Sequence, residues 1–346
     1  MDEAEILFDR RGAAGLVTLN RPKALNAVTH GMVRRLRAQL DAWADDPAIT
    51  RVVITAAGER AFSAGGDIRA LTDLGRAGKR DEMLKFWRDE YPLNATIKNY
   101  RKPYVALIDG IVMGGGVGVS VHGSHRVAGD RFQFAMPEVG IGFFPDVGAT
   151  WFLPRMPGEL GTYCALTGER FDAADAIAAG IATHRIPSAR FAALLEGLTG
   201  TVSVDAVLAA FAEPAGKSKI AARRAVIDRL FAGDSVEDIL AALDREDDEW
   251  ARNTAATMRA KSPLSLKLAL AQVRRGKHWD FDTCMRAEFR IVSRIVEGHD
   301  FYEGVRAVIV DKDNAPRWQP ATLAGVGAGE VERHFAPRPG DELVLP

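Results

Sequence analysis

The chemistry most readily read from this chain lies in two glycine-rich segments. The first is Phe62-Ser63-Ala64-Gly65-Gly66-Asp67-Ile68, the second Asp109-Gly110-Ile111-Val112-Met113-Gly114-Gly115-Gly116-Val117-Gly118. Each follows a β-rich run and precedes a helical one. Glycine lets the backbone approach a ligand closely and take positive φ, and a helix start leaves N–H groups unpaired and aimed outward. Two such loops on neighbouring strands can present two N–H donors to one oxygen, an oxyanion hole. Read alone, either cluster also fits a tight turn or close helix packing. The order GGGVG lacks the G-x-G-x-x-G spacing and no Gly-Lys-Ser/Thr follows it, so neither a dinucleotide fingerprint nor a P-loop is present.

The elements that must position these loops follow from hydrophobic spacing. Residues 4–20 read as two short strands broken at Arg11–Gly12, with Ile6 and Phe8 alternating and then Leu16, Val17 and Leu19. Thr29 is a helix N-cap, and Met32, Leu36 and Leu40 give a stripe up to about Asp45. Arg51–Thr55 and Pro103–Ile108 read as buried strands, 61–67 as a loop, 79–99 as an amphipathic helix, and 119–135 as short strands. Apolar strands alternating with crossover helices specify an α/β layered core. From about residue 157 the pattern turns helical, with helices expected over 158–167, 172–179, 188–198, 218–231, 235–243, 246–260, 262–275 and 280–297. Pro214-Ala215-Gly216 marks a linker. The expected organisation is a core over 1–212 that carries the site and a helical C-terminal region over 213–346. Its tail from Pro337 reads as an extended or partly disordered arm.

Composition removes several function classes. Lys and Arg number 45 and Asp and Glu 46, so no global field favours nucleic acid or an anionic membrane. The pairs Arg223–Arg224 and Arg274–Arg275 read as solvated helix faces or as help in attracting an anionic ligand. No apolar run reaches the roughly 20 residues that span a bilayer, and the acidic N-terminus lacks an apolar leader core. The expected compartment is the cytoplasm. Cys164 and Cys284 have no partner at metal spacing and read as small buried hydrophobes in a reducing environment. His122 and His184 read as structural, and Trp250, Trp279 and Trp318 as packing anchors. No metal, nicotinamide or nucleic acid is implied.

Taken in order, five motifs resemble the crotonase (enoyl-CoA hydratase/isomerase) superfamily over roughly residues 4–190. They are Gly15–Ala27 (GLVTLNRPKALNA), Ala61–Ile68, Gly110–Gly116, Ala135-Met-Pro-Glu-Val-Gly-Ile-Gly142, and Leu166-Thr-Gly168 followed by Ala179-Gly180-Ile181. The resemblance implies a repeated ββα spiral core with a mostly helical C-terminal region. It also implies an acyl-CoA site in which the N–H groups of Gly66 and Gly115 hold the thioester oxygen. Lys23, Ala24 and Leu25, with the backbone around Ala64 and Asp67, would hold the adenine end of coenzyme A. Asp67 reads equally as the N-cap of the next helix. Coenzyme A would arrive as part of the substrate, with no separate cofactor, and the family implies a homo-oligomer, trimer or hexamer.

The reaction depends on the carboxylates. Hydratases of the superfamily use two glutamates, one just after the GGG loop and one in a P-E-x-x-x-G segment. The second is present as Glu138, whereas the first position falls on Gly118, so a two-glutamate addition of water lacks one acid/base group. Asp146 follows Glu138 by eight residues, beyond Phe143-Phe144-Pro145. The segments Met113–Gly123, Phe134–Glu138 and Ile141–Gly148 resemble the thioesterase branch, the 3-hydroxyisobutyryl-CoA hydrolases. So do Arg88–Asn94, Lys102–Ala106, Ala179–His184, Asp300–Ala307 and Asp311–Asp313, which extends the likeness to about residue 320.

That branch implies Glu138 and Asp146 as catalytic residues. Glu138 would attack the carbonyl to give an anhydride, or act as base for a water. Asp146 would orient the water or the substrate hydroxyl, and Glu90 would bind the 3-hydroxyl beside Gly115. Phe143, Phe144 and Phe152 would bury the carboxylates and raise their pKa values. From the residues alone, Glu138 also reads as a salt-bridged or capping glutamate, Asp146 as a helix N-cap after Pro145, and Glu90 as a surface charge. The expected activity is hydrolysis of a short-chain β-hydroxyacyl-CoA thioester in valine breakdown. The alternatives are an enoyl-CoA hydratase or isomerase on the same fold and a non-catalytic acyl-CoA-binding protein.

Overall fold

In the computed structural model, which describes residues 4–346, the first alternating segment forms an antiparallel hairpin of β1 (Ile6–Arg11) and β2 (Ala14–Leu19). Three strand pairs follow. They are β3 (Arg51–Ala56) with β4 (Ala61–Ser63), β5 (Tyr104–Ile108) with β6 (Ile111–Met113), and β7 (His125–Ala128) with β8 (Gln133–Ala135). The first member of each pair joins a six-stranded sheet of order β1-β2-β3-β5-β7-β9, in which β9 is His184–Arg185. The second member joins a three-stranded sheet, β4-β6-β8. Every pairing after β1–β2 is parallel. The expected loops over 61–67 and 109–118 thus each contain a three-residue strand, too short for alternation to reveal.

Parallel neighbours need crossovers. Helix α1 (His30–Asp45) links β2 to β3, α2 (Ile68–Arg76) and α3 (Arg80–Lys98) link β4 to β5, and α4 (Gly115–Gly118) follows β6. Each turn of chain therefore adds one strand to each sheet, which is a ββα spiral. Thr29 caps α1 as its sequence suggests, its Oγ1 accepting from Met32 N at 3.2 Å.

After β8 come α5 (Ala149–Phe152), α6 (Leu160–Thr167) and α7 (Ala173–Ala178), then β9, α8 (Phe191–Thr199) and α9 (Val204–Phe211). One face of the large sheet packs Leu16, Val53, Val105, Leu107 and Val127 against Leu194, Leu198, Val204 and Leu208 of α8 and α9. The other face enters the main core. Burial on both faces explains why β3 and β5 read as continuous apolar runs instead of alternating ones.

Ala212 ends α9, and the stretch 213–218 leads into the C-terminal helices. These are α10 (Lys219–Leu230), α11 (Val236–Asp244), α12 (Glu249–Arg259), α13 (Pro263–Gly276), α14 (Phe281–Ile295), α15 (Asp300–Val305) and α16 (Ala328–Phe335). A π-helical turn, Arg306–Val310, extends α15. Helix α13 packs on α5 and α6, and α14 on α3 and α5, so one main core runs from Ile6 to Leu343. The tail after Pro337 is an irregular arm laid on the surface. Leu343 is buried, Glu342 pairs with Arg290, and Asp341 pairs with Arg88 and Arg338.

Candidate active site

Strands β4, β6 and β8 lie side by side in parallel register, Ala61 opposite Ile111 and Met113 opposite Ala135. Neighbouring strands are about 4.8 Å apart, so the residues that leave their C-terminal ends emerge together. Those residues are Ala64–Asp67, Gly114–Gly115 and Met136–Glu138. The segment 25–28 runs alongside the first loop, with Ala64 N donating to Leu25 O, Val28 N to Gly65 O and Asp67 N to Val28 O. Asp67 caps α2, accepting from Ala70 N at 3.4 Å, and pairs with Arg21 at 3.0 Å.

Positive φ at Gly65 (121°) and Gly114 (44°) turns the following peptides outward. The N–H groups of Gly66 and Gly115 have no acceptor among the described residues. The two loops meet closely. A Cβ placed on Gly115 would stand 3.2 Å from Gly66 N and 2.8 Å from Glu90 Oε1, so a side chain there would displace one of the carboxylates.

A cavity of about 550 Å³ opens on this edge. It brings together Ala24, Ala64, Gly66, Asp67, Glu90, Gly115, Glu138 and Asp146, residues drawn from five separate stretches of sequence. Lys23 and Leu25 are not among its lining residues. Lys23 is exposed on the adjoining turn and Leu25 is half-buried there.

The carboxylates sit in an apolar shell. Trp87 stacks on Phe143 at 5.7 Å, and Phe143 packs on Phe144 and Phe301 at 4.8 and 5.1 Å. Phe152, expected in this shell, instead packs on His122 and Phe134. Its place is taken by Phe86 and Trp87 from α3, because the turn over α5 points Phe152 away from the cavity. Glu90 is 1% exposed, not a surface charge, and its Oε1 has no partner among the described residues. Glu138 opens the 3₁₀ turn Glu138–Ile141, forms no ion pair among the described residues, and leaves Oε2 buried without a protein partner. Asp146 does not cap a helix, since Gly148 holds the N-cap of α5. Its Oδ2 accepts from the Tyr91 hydroxyl at 2.9 Å.

Burial governs the charge states. It drives Glu138 and Glu90 well above the usual carboxylate range, with the charge of Asp146 adding to the shift in each. Asp146 is pushed up to about 7 by burial, against the pull of the Tyr91 hydrogen bond. Three acids so close together in a dry site cannot all ionise at neutral pH.

Sequence reasoning missed the residues that hold Asp146 in place. Val147 takes φ 53°, an unfavourable conformation for a β-branched residue. Its carbonyl lies 2.7 Å from His122 Nε2. Glu288, on α14, accepts from Gly148 N at 2.8 Å and Thr150 N at 2.9 Å, and burial pushes its pKa up to about 8. Gln272, on α13, donates to Pro145 O and Thr150 Oγ1. Lys261, Val308, Ile309 and Asn314 complete the cavity wall from the C-terminal region. None of these carries a local motif. Of the residues that support Asp146, Tyr91, His122 and Val147 fall in segments already matched to the family, whereas Glu288 and Gln272 do not.

Gly118 lies against this apparatus. A Cβ there would stand 2.8 Å from both Asn94 Nδ2 and Val147 Cβ, so the position has no room for any larger side chain, a glutamate included.

A family model described as enoyl-CoA hydratase/isomerase matches residues 14–335. Curated 3-hydroxyisobutyryl-CoA hydrolases, named as mitochondrial, from Danio rerio, Rattus norvegicus and Homo sapiens are 45%, 44% and 41% identical. The alignments cover 96% of this chain in each case and 90%, 89% and 88% of the relatives. Among solved structures, a carnitinyl-CoA dehydratase from Mycobacterium thermoresistibile superposes with a TM-score of 0.95 at 44% identity over 99% of both chains. An enoyl-CoA hydratase from Rhodobacter sphaeroides 2.4.1 superposes with a TM-score of 0.93 at 39% identity, over 99% of this chain and 100% of that one. No helix among the described residues is long and apolar enough to cross a membrane. With a matching family model over most of its length and a spiral core that superposes on these structures, the chain belongs to the enoyl-CoA hydratase/isomerase (crotonase) family.

Proposed function

We propose that this protein hydrolyses a short-chain β-hydroxyacyl-CoA thioester, 3-hydroxyisobutyryl-CoA, to 3-hydroxyisobutyrate and free coenzyme A, a step of valine breakdown. The observation that carries the reading is the pairing of Glu138 and Asp146 in one cavity with two unengaged N–H donors, while position 118 has no space for a second glutamate. Relatives of that name, at 41–45% identity over nearly the whole chain, support it.

In this reading the thioester oxygen accepts from Gly66 N–H and Gly115 N–H, and the negative charge that develops on it is held there. One such donor is worth roughly 3–4 kcal/mol in the transition state. Ionised Glu138 provides the electron pair, either to the carbonyl carbon or to the proton of an attacking water. Asp146 accepts a hydrogen bond from that water or from the 3-hydroxyl, and Glu90 faces the acyl group from α3. The aromatic shell keeps bulk water out, so the charges act in a low dielectric. Lys23, Ala24 and Leu25, with the backbone at Ala64 and Asp67, would bind the adenine end. The cytoplasm and a trimeric or hexameric assembly complete the proposal, though the chemistry uses neither.

A second reading, hydration of an enoyl-CoA, is favoured by the likeness to the carnitinyl-CoA dehydratase and enoyl-CoA hydratase structures. It is opposed by Gly118, which leaves Glu138 without a glutamate opposite. Release of free coenzyme A from 3-hydroxyisobutyryl-CoA, followed with a thiol reagent beside crotonyl-CoA, separates the two. Thiol release with no loss of crotonyl absorbance is the expected result. Loss of that absorbance without thiol release would make the protein a hydratase.

A further inference from the structure

The His122 ring that bonds to Val147 also lines a second cavity, of about 480 Å³, which shares no lining residue with the acyl-CoA cavity. Four cations, Lys98, Lys102, Arg126 and Arg155, lie in its wall, and among the described residues no Asp or Glu does. In a chain whose charges balance to −1, that is a marked local excess. Among the described residues none of the four pairs with a carboxylate; the groups that hold them are neutral. Arg126 donates to the carbonyls of Ile181, Gly123 and Gly180 at 2.7, 2.9 and 3.2 Å. Arg155 donates to those of Trp151, Gly276 and Trp279 at 2.8, 3.0 and 3.0 Å. Lys102 donates to Trp43 and Asp46 main-chain oxygens.

Two of the cations converge on one ring. Arg155 lies 3.2 Å and Lys98 5.8 Å from the centroid of Trp151, and Lys98 and Arg126 both act electrostatically on His122. Carbonyls orient a guanidinium but do not neutralise it. Arg126 and Lys102 are half-buried, where a cation without a counter-charge is unfavourable, and the N–H groups that Arg126 and Arg155 have left over after these bonds are free for an anion. Between the cations the wall is apolar and aromatic, with Ile97, Tyr100, Val121 and Trp151.

We propose that this cavity is a binding site for a small organic anion, a phosphate or carboxylate carried on an apolar or aromatic body, distinct from the acyl-CoA cavity. The cations take the charged head and Trp151 with its apolar neighbours takes the body.

Calorimetric titration with phenyl phosphate and with benzoate tests it, in the presence of saturating coenzyme A to fill the other cavity. Saturable binding of at least one probe, one per chain, is expected. Tighter binding of phenyl phosphate assigns a phosphate head, and tighter binding of benzoate a carboxylate. Lys98 is exposed at the end of α3 and touches neither Glu138 nor Asp146, so Lys98→Glu is expected to keep the fold and the basal turnover. It should weaken the probe by about tenfold or more, since a charge-assisted contact is replaced by repulsion. Lys98→Gln, which removes the charge without reversing it, should weaken it less. The proposal is overturned if neither probe binds more tightly than about 10 mM, if Lys98→Glu binds both as wild type does, or if the probes bind only when coenzyme A is left out.

Discussion

The two walls of the acyl-CoA cavity are built on opposite principles. One is main chain: Gly66 and Gly115 offer N–H groups whose position is set by the pairing of β4 with β6. The other is side chain: Glu138, Asp146 and Glu90 arrive from a 3₁₀ turn, a strained loop and a helix, and their charge is set by burial. A backbone donor cannot be titrated and needs only that nothing else occupy its space. A buried carboxylate responds to every neighbour. The donor wall should therefore fail by steric intrusion, and the carboxylate wall by loss of charge or of the hydrogen bonds that tune it.

The largest effect separates the walls directly. Glu138→Gln keeps the shape but removes the electron pair donor, and turnover should fall about 10²- to 10⁴-fold with acyl-CoA binding retained. Gly115→Ala puts a methyl group 2.8 Å from Glu90 Oε1 and crowds Gly66 N. It should lower turnover by about 10²- to 10³-fold, the range for loss of an oxyanion donor. Near-normal turnover in Gly115→Ala would show that this peptide does not bind the reacting oxygen.

An intermediate effect tests how the carboxylate wall is tuned. Burial raises Asp146 to about 7, and the Tyr91 hydroxyl holds it down by favouring the ionised form. If ionised Asp146 is the working form, kcat/KM rises with pH through about 7. Tyr91→Phe removes the opposing hydrogen bond, so the limb should move upward by about one to two pH units, the equivalent of a hydrogen bond to a charged group. The variant would be slow at pH 7 and recover by pH 9. An unmoved limb in the pH–rate profile would mean that Tyr91 does not set this ionisation.

The same contrast decides what is legible in the sequence. The donor wall was legible because glycine clusters at strand ends are local and leave a mark in sequence. Glu138 was legible through its P-E-x-x-x-G context. The support of Asp146 was not, since Glu288 lies 140 residues from Gly148 and Gln272 lies 127 from Pro145. In sequence Glu288 is one polar residue in an ordinary helical stripe, and only packing of α14 against α3 and α5 turns it inward. Strands β4 and β6 were hidden for a different reason: three residues are too few for a period of two to show. Helices α9 and α16, eight residues each, fell between clear stripes in the same way.

The smallest effect concerns stability and reaches the carboxylate wall through its support. Glu288 is pushed from its ordinary value of 4.5 up to about 8, first by burial and then by the charge of Asp146. The folded chain therefore keeps a proton that the unfolded chain gives up near 4.5. Across that window the native state binds more protons, so this group lowers stability as pH rises from about 5 to 8, by up to about 1.4 kcal/mol per pH unit, and adds no further slope above. Glu288→Gln is uncharged at every pH and keeps one acceptor oxygen for Gly148 N or Thr150 N. Its Tm should fall less steeply than that of wild type between pH 5 and 8, while the fall due to Glu138, Glu90 and Asp146 remains. Thermal melts at half-unit pH steps measure the two slopes. Parallel curves would mean that Glu288 is ionised in the folded protein, held by the Gly148 and Thr150 N–H groups strongly enough to outweigh its burial. Asp146 would then face a fixed negative charge, and the acid limb of the pH–rate profile would reflect that repulsion as well as Tyr91.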